Sequence, residues 1–68
     1  MSDQITDPAE YLYQQTLELI QKQKDLRSWI DLMKDAGENT SSLEVTWNNN
    51  QEKIKRWKTA LAARGKTF

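Results

Sequence analysis

Apolar residues recur along the chain at the spacing of an α-helix, in two segments that a polar turn separates. In the first segment, steps of three and four residues continue over four heptads and join Ala9, Leu12, Thr16, Leu19, Gln23, Leu26, Ile30 and Met33. In the second segment, the same steps join Leu43, Trp47, Asn50, Ile54, Trp57 and Leu61. This pattern is typical of amphipathic helices that pack as in a coiled coil, so it predicts two such helices.

Capping residues mark both ends of the first predicted helix. Asp7 is a good N-cap and Pro8 suits the first helical position, while Glu10 completes the pattern of a capping box. Gly37 follows the last apolar position and is typical of a helix C-terminus. Helix 1 is therefore predicted to cover about 8–36.

The second predicted helix has similar signals. Polar residues follow Gly37 and predict a turn over 37–41. Ser41 with Glu44 repeats the capping-box pattern, and Gly65 is suited to end a helix. Helix 2 is therefore predicted to cover about 42–64.

A turn this short makes the two helices antiparallel neighbours. The predicted fold class is all-α: a two-helix antiparallel hairpin with coiled-coil-like packing, in one domain over 1–68 whose ends, 1–6 and 65–68, are frayed. In a register centred on the turn, Gln23 and Asn50 lie within about one helical turn of each other. Their amides either contact each other and fix the register, or remain hydrated in a loose seam.

Helix 1 has more apolar surface than helix 2 can cover. Five residues widen its stripe, on one side near its start and on the other side towards its end: Tyr13, Leu17, Ile20, Trp29 and Leu32. A chain of 68 residues forms only a marginal core, so the surplus indicates a second interface. That interface is either self-pairing into a four-helix bundle or docking on another protein. The alternative is that the rings lean over the seam and that the leucines are scattered surface residues.

Charge is balanced in total, with ten basic and ten acidic residues, but it is separated along the chain. Residues 1–20 contain no base, and residues 53–66 contain no acid. An antiparallel hairpin brings these segments together, so pairing between the helices explains the pattern. The alternative is binding of RNA or DNA phosphates by the basic end of helix 2, through Lys53, Lys55, Arg56 and Lys58.

The residue types that most catalytic sites need are missing. The chain has neither histidine nor cysteine, so the commonest general base, thiolate nucleophiles and the usual zinc ligands are excluded. Asp31, Asp35 and Glu38 lack the glycine and dense oxygen ligands of a calcium loop, and they predict a solvated face. We therefore expect no enzyme, no metal site and no cofactor. No apolar run approaches the length of a membrane segment, which favours a cytoplasmic protein without membrane contact.

Binding is the function that these features predict. The leading hypothesis is a small non-enzymatic protein–protein interaction module whose apolar helix faces contact another protein, a second copy, or both. An adaptor, a chaperone, an assembly factor and a stoichiometric inhibitor all fit this description. A nucleic-acid-binding regulator and a purely structural homo-oligomer are the alternatives.

Overall fold

A computed structural model describes residues 7–68, and in this range the fold consists of two helices and no strand. Helix α1 (Pro8–Asp35) and helix α2 (Ser41–Ala62) run antiparallel and pack side by side. The hairpin has extents of 47 × 28 × 17 Å, so it is a single layer of two helices. The predicted all-α hairpin is confirmed. Its pairing into a four-helix bundle stays a prediction, and the predicted frayed end at 1–6 lies outside the described residues.

Helix α1 begins with the predicted N-cap. The Asp7 Oδ1 atom accepts a hydrogen bond of 3.0 Å from the Ala9 N–H, and Pro8 occupies the first helical position. The Glu10 carboxylate, however, binds the Lys66 ammonium at 2.7 Å. The N-cap bond of Asp7 is therefore observed without the reciprocal capping box.

Both helices end with a glycine in the left-handed region. Gly37 has φ +83°, and the N–H groups of Gly37 and Glu38 donate back to carbonyls of the last turn of α1, each at 2.9 Å. Gly65 has φ +84°, and the Lys66 N–H donates to the Leu61 carbonyl at 2.9 Å. Both ends have the hydrogen bonds of a Schellman motif, in which glycine avoids the steric cost of a positive φ.

Helix α2 begins one residue before the predicted start, and its cap is different. Thr40 is the N-cap residue, and the Asn39 Oδ1 atom accepts from the Ser41 N–H at 2.9 Å. Glu44 accepts from the Thr40 hydroxyl at 2.6 Å and pairs with the Lys34 ammonium at 3.1 Å. Three consecutive residues here are able to cap a helix, which explains why the sequence pattern assigned the cap to the wrong one.

The buried core follows the predicted seam and is small. The buried apolar residues are Ile30, Ile54 and Leu61, and the buried polar residues are Thr16, Gln23 and Thr40. The Thr16 hydroxyl donates to the Leu12 carbonyl at 2.7 Å. Every buried side-chain nitrogen and oxygen in the described part of the chain has a partner. The core is therefore satisfied in its hydrogen bonds although half of its buried residues are polar.

Residues 66–68 pack against the start of α1 in what we call the tail clasp (Glu10, Tyr13, Lys66, Thr67 and Phe68). The Tyr13 and Phe68 ring centroids are 4.9 Å apart, and the Tyr13 hydroxyl donates to the Thr67 carbonyl at 3.3 Å. The Lys66 ammonium contacts the Glu10 carboxylate at 2.7 Å. An aromatic pair and an ion pair therefore connect the tail to α1, and the fraying of 65–68 stays a prediction.

Candidate protein-binding surfaces

Four residues hold the middle of the seam through a hydrogen-bonded network, the amide lock (Gln23, Trp47, Asn50 and Gln51). Gln23 is only 4% exposed, and its Nε2 atom donates to the Trp47 carbonyl at 2.8 Å and to Gln51 Oε1 at 3.0 Å. Its Oε1 atom accepts from Asn50 Nδ2 at 3.2 Å, so the predicted amide contact is formed. In return, the Trp47 indole donates to the Gln23 carbonyl at 3.1 Å. These bonds fix which residues of the two helices face each other.

The seam divides the surface of the hairpin into two sides, each with one tryptophan of α2. Trp47 and Trp57 are ten residues apart, which at about 100° per residue turns them roughly 80° from each other on the helix. Trp47 lies at one edge of the seam, near Ile20 and Arg27, whereas Trp57 lies at the other edge, near Leu19. We call these two surfaces the Trp47 side and the Trp57 side.

The Trp47 side contains an open groove of about 460 Å³, which we call the basic groove. Its floor is apolar and its rim carries cations. The floor consists of Ile20, Trp47 and Ile54, and the rim cations are Lys24, Arg27 and Lys58. Neutral polar residues complete the lining, and no carboxylate is among them.

Aromatic rings hold two of the three rim cations. The Arg27 guanidinium lies 5.4 Å from the Trp47 ring centroid, and the Lys58 ammonium lies 5.3 Å from that of Phe68. Arg27 also has an ion pair with Asp31 at 3.6 Å, but both side chains are exposed and such pairs are weak. The cations are therefore oriented by ring faces while their charge remains available to an anion.

The Trp57 side is less open and has mixed charge. A hollow of about 110 Å³ there is lined by Gln15, Glu18, Leu19, Lys22, Lys53 and Trp57. The Lys53 ammonium lies 5.6 Å from the Trp57 ring centroid. A second hollow of about 270 Å³ lies towards the helix ends, between Pro8 and Arg64. An acid among the lysines makes the first hollow a poorer site for a charged ligand of either sign.

The five predicted partner-binding residues do not form one surface. Leu17, Trp29 and Leu32 are exposed by 40%, 51% and 58%. Trp29 and Leu32 are neighbours at i,i+3, and we call them the Trp29–Leu32 patch. Leu17 lies about 18 Å along the helix from Trp29. Tyr13 is half-buried in the tail clasp and Ile20 is half-buried in the floor of the basic groove, so neither is a free anchor.

The four predicted phosphate-binding residues are likewise divided. Lys53 faces the Trp57 side and Lys58 faces the basic groove, because five residues turn a helix by about 140°. Lys55 and Arg56 are exposed between them. The structure therefore does not bring these side chains together into one patch.

The basic groove was not predicted from the sequence. Positions 20, 24 and 27 share one face of α1, and positions 47, 51, 54 and 58 share one face of α2. A search for like charges that flank the predicted seam on both helices could have found it. The predicted pairing between the acidic first segment and the basic last segment is observed in the described residues as one ion pair, between Glu10 and Lys66.

Among residues 7–68, three ionisable groups have shifted pKa values, and all lie at the ends of the hairpin. The hydrogen bond from Lys66 lowers the pKa of Glu10, with a smaller effect from Gln14, and the same pairing raises the pKa of Lys66. The Thr40 hydroxyl, followed by Lys34, lowers the pKa of Glu44. These shifts favour the ion pairs at the two ends of the hairpin, and Arg27 of the basic groove contributes least to the lowered pKa of Glu44.

Over residues 7–68, no three acidic side chains are grouped so that they could bind a metal ion. Within the same range, neither helix combines the length and the apolar character that crossing a membrane requires. Comparison with protein families, curated proteins and solved structures gives no significant match.

Proposed function

We propose that this protein is a small non-enzymatic protein–protein interaction module that docks through apolar helix surfaces. One observation carries the proposal: more large apolar side chains are exposed than are buried. The buried ones are Ile30, Ile54 and Leu61, whereas the exposed ones are Tyr11, Leu17, Trp29, Leu32, Val45 and Phe68. Contiguous exposed apolar surface is typical of docking sites, and Trp29 and Leu32 are neighbours on α1.

The single-layer shape supports the same function. Stable domains are generally built from two or more packed layers, and this hairpin has one. A second layer would come from another copy, giving a four-helix bundle, or from helices of a different protein. Adaptor, chaperone, assembly factor, regulator and stoichiometric inhibitor are roles compatible with either partner. The location that we propose is the cytoplasm, as the sequence analysis predicts.

The Trp29–Leu32 patch is the anchor that we propose for this docking. Both side chains are more than half exposed and adjacent on α1, and tryptophan is enriched among the residues that dominate binding energy. Its partner would be an apolar helix face that packs against this part of α1.

Sedimentation equilibrium over a concentration series tests the proposal. The wild type is compared with Trp29→Ala/Leu32→Ala, and Val45→Ala serves as a control because it removes an exposed apolar side chain from α2. A mass of twice 8.0 kDa that the double variant lowers and the control preserves indicates self-pairing. If the wild type is a monomer, cross-linking capture is expected to retain a protein that the double variant loses.

Two results would contradict the proposal. One is a monomeric wild type whose captured proteins do not depend on the patch. The other is a large loss of helicity by circular dichroism in the double variant, which would assign these side chains to the hairpin core. A dimer without any further partner would leave the structural homo-oligomer as the function.

The nucleic-acid alternative has less support, because Lys53 and Lys58 lie on different sides of α2. It predicts that a single-stranded RNA oligonucleotide binds with an affinity that falls steeply with salt. Loss of that binding in Lys55→Ala/Arg56→Ala would favour it over the interaction module.

A further inference from the structure

We infer that the basic groove binds an acidic amphipathic helix of a partner protein. The groove combines an apolar floor with a rim of one charge sign. Ile20, Trp47 and Ile54 offer aliphatic and aromatic surface, and the groove lining contains no carboxylate. The ion pair of Arg27 with Asp31 is exposed and therefore weak. A ligand that fits has an apolar stripe with carboxylates beside it.

The shape of the groove favours a helix as the ligand. The groove lies between two antiparallel helices, and its lining on α2 extends from Trp47 to Lys58, about 16 Å at 1.5 Å per residue. Roughly three turns of a third helix span this length. Apolar residues at i, i+3 or i+4, and i+7 of such a helix would meet the floor, as in other complexes where a helix occupies a groove.

The positions of the cations determine where the acids of the partner lie. Lys24 and Arg27 are on the α1 edge of the groove, and Lys58 is on the α2 edge. Carboxylates on both flanks of the apolar stripe would therefore each meet a cation. Arg27 is held over the Trp47 ring, so little ordering is needed when it binds.

A second copy of this chain is a less suitable ligand. Its exposed apolar stripe on α1 is the Trp29–Leu32 patch. Asp25 lies four residues before Trp29 and Lys22 lies seven residues before it, both on the same helix face. The lysine would approach the rim cations of the groove. A partner with acids on both flanks avoids this repulsion.

Recognition of such a helix presupposes the binding function proposed above, but it uses a different surface of α1. The Trp29–Leu32 patch and the basic groove share no residue. The sedimentation experiment on the patch and the peptide experiment on the groove can therefore fail separately.

Binding of two synthetic helical peptides to the full chain, measured by fluorescence anisotropy, tests the inference. Each peptide has about 15 residues and the same leucine stripe, with glutamate on both flanks in one and lysine in the other. We expect the acidic peptide to bind at least about tenfold more tightly than the basic one, and its affinity to fall with added salt.

Charge reversals on the two sides of the seam locate the site. Lys24→Glu/Lys58→Glu is expected to weaken binding of the acidic peptide about tenfold, and Lys24→Glu alone to weaken it severalfold. The matched control, Lys22→Glu/Lys53→Glu, makes the same change of charge on the Trp57 side and is expected to change the affinity less than about twofold. Circular dichroism checks that each variant keeps its helices.

Three outcomes would overturn the inference. The first is that the acidic peptide does not bind, or binds no better than the basic one. The second is that both double variants weaken binding equally, which would show attraction by overall charge rather than by the groove. The third is that a single-stranded RNA oligonucleotide displaces the acidic peptide and is itself released by Lys24→Glu/Lys58→Glu, which would assign the groove to nucleic acid.

Discussion

The two sides of the seam are built from the same residue types, a tryptophan, aliphatic residues and lysines, yet they differ in how these groups are held. On the Trp47 side, the indole is hydrogen-bonded to the Gln23 carbonyl and the rim has cations only. On the Trp57 side, Glu18 lies among the lysines of a smaller hollow. On the Trp57 side, the Glu18 carboxylate offsets the charge of the lysines. On the Trp47 side, the rim cations and the apolar floor remain accessible to a ligand. Charge arrangement, more than composition, distinguishes the two sides.

The largest difference between the two sides is expected from removal of each tryptophan. Trp47→Ala should lower the free energy of unfolding by about 3 kcal/mol, because it removes groove floor and the hydrogen bond to Gln23. Trp57→Ala should cost about 1–2 kcal/mol, since a half-buried ring is lost without that bond. Urea denaturation followed by circular dichroism measures both. Equal costs would show that the two rings are anchored equally.

The amide lock should come next in size. Gln23→Ala should lower the free energy of unfolding by about 1–3 kcal/mol, because it removes three hydrogen bonds and leaves the facing polar groups without their partner. Gln21→Ala is the matched control, since its side chain is exposed on the same helix, and should change stability by less than about 0.5 kcal/mol. If the denaturation curves of Gln23→Ala and Gln21→Ala coincide, the amide lock does not stabilise the seam.

The sequence predicted what depends on local chemistry and on periodicity. The heptad pattern located both helices, Gly37 located the turn, and the short turn fixed a register that brought Gln23 to Asn50. The tail clasp was missed because Phe68 and Tyr13 are far apart in sequence. Periodicity shows which residues face the partner helix, but it does not show how far each helix is rotated.

The basic groove was missed because periodicity does not show how far each helix is rotated about its axis. It combines Arg27 of α1 with Lys58 of α2, and only the packed pair of helices shows that they share one edge. The predicted surplus of apolar surface on α1 was present, but the tail covers part of it at Tyr13 and the groove contains part of it at Ile20.

A subtler substitution isolates the hydrogen bond on the Trp47 side. Trp47→Phe keeps an aromatic ring but removes the indole N–H, so it should cost about 1 kcal/mol more than Trp57→Phe, which loses no observed hydrogen bond. Chemical denaturation of both variants provides the difference. A larger loss in Trp57→Phe would reverse the order of the two sides.

The smallest effect is expected at the tail clasp, which closes one end of the Trp47 side. The lowered pKa of Glu10 means that its contribution to stability is present above its ordinary value of 4.5 and is lost as the pH falls through the pKa of the folded state. The raised pKa of Lys66 means that its contribution is present below 10.5 and is lost as the pH rises through the pKa of the folded state. Glu10 is exposed and Lys66 is only partly buried, so solvent screens the pair and each loss should be slight.

Carbon NMR of the Glu10 carboxyl, together with the ring resonances of Phe68, resolves this titration from that of Glu44, whose pKa is lowered at the other end of the hairpin. The Phe68 signals should stay constant around neutral pH and shift towards both extremes. In Glu10→Gln the acidic shift should become smaller, because the Glu10 carboxylate is no longer there to be protonated. Phe68 signals that are the same in the wild type and in Glu10→Gln over the whole pH range would show that the clasp does not depend on the Glu10–Lys66 pair, and the closed end of the Trp47 side would then rest on the aromatic contact with Tyr13.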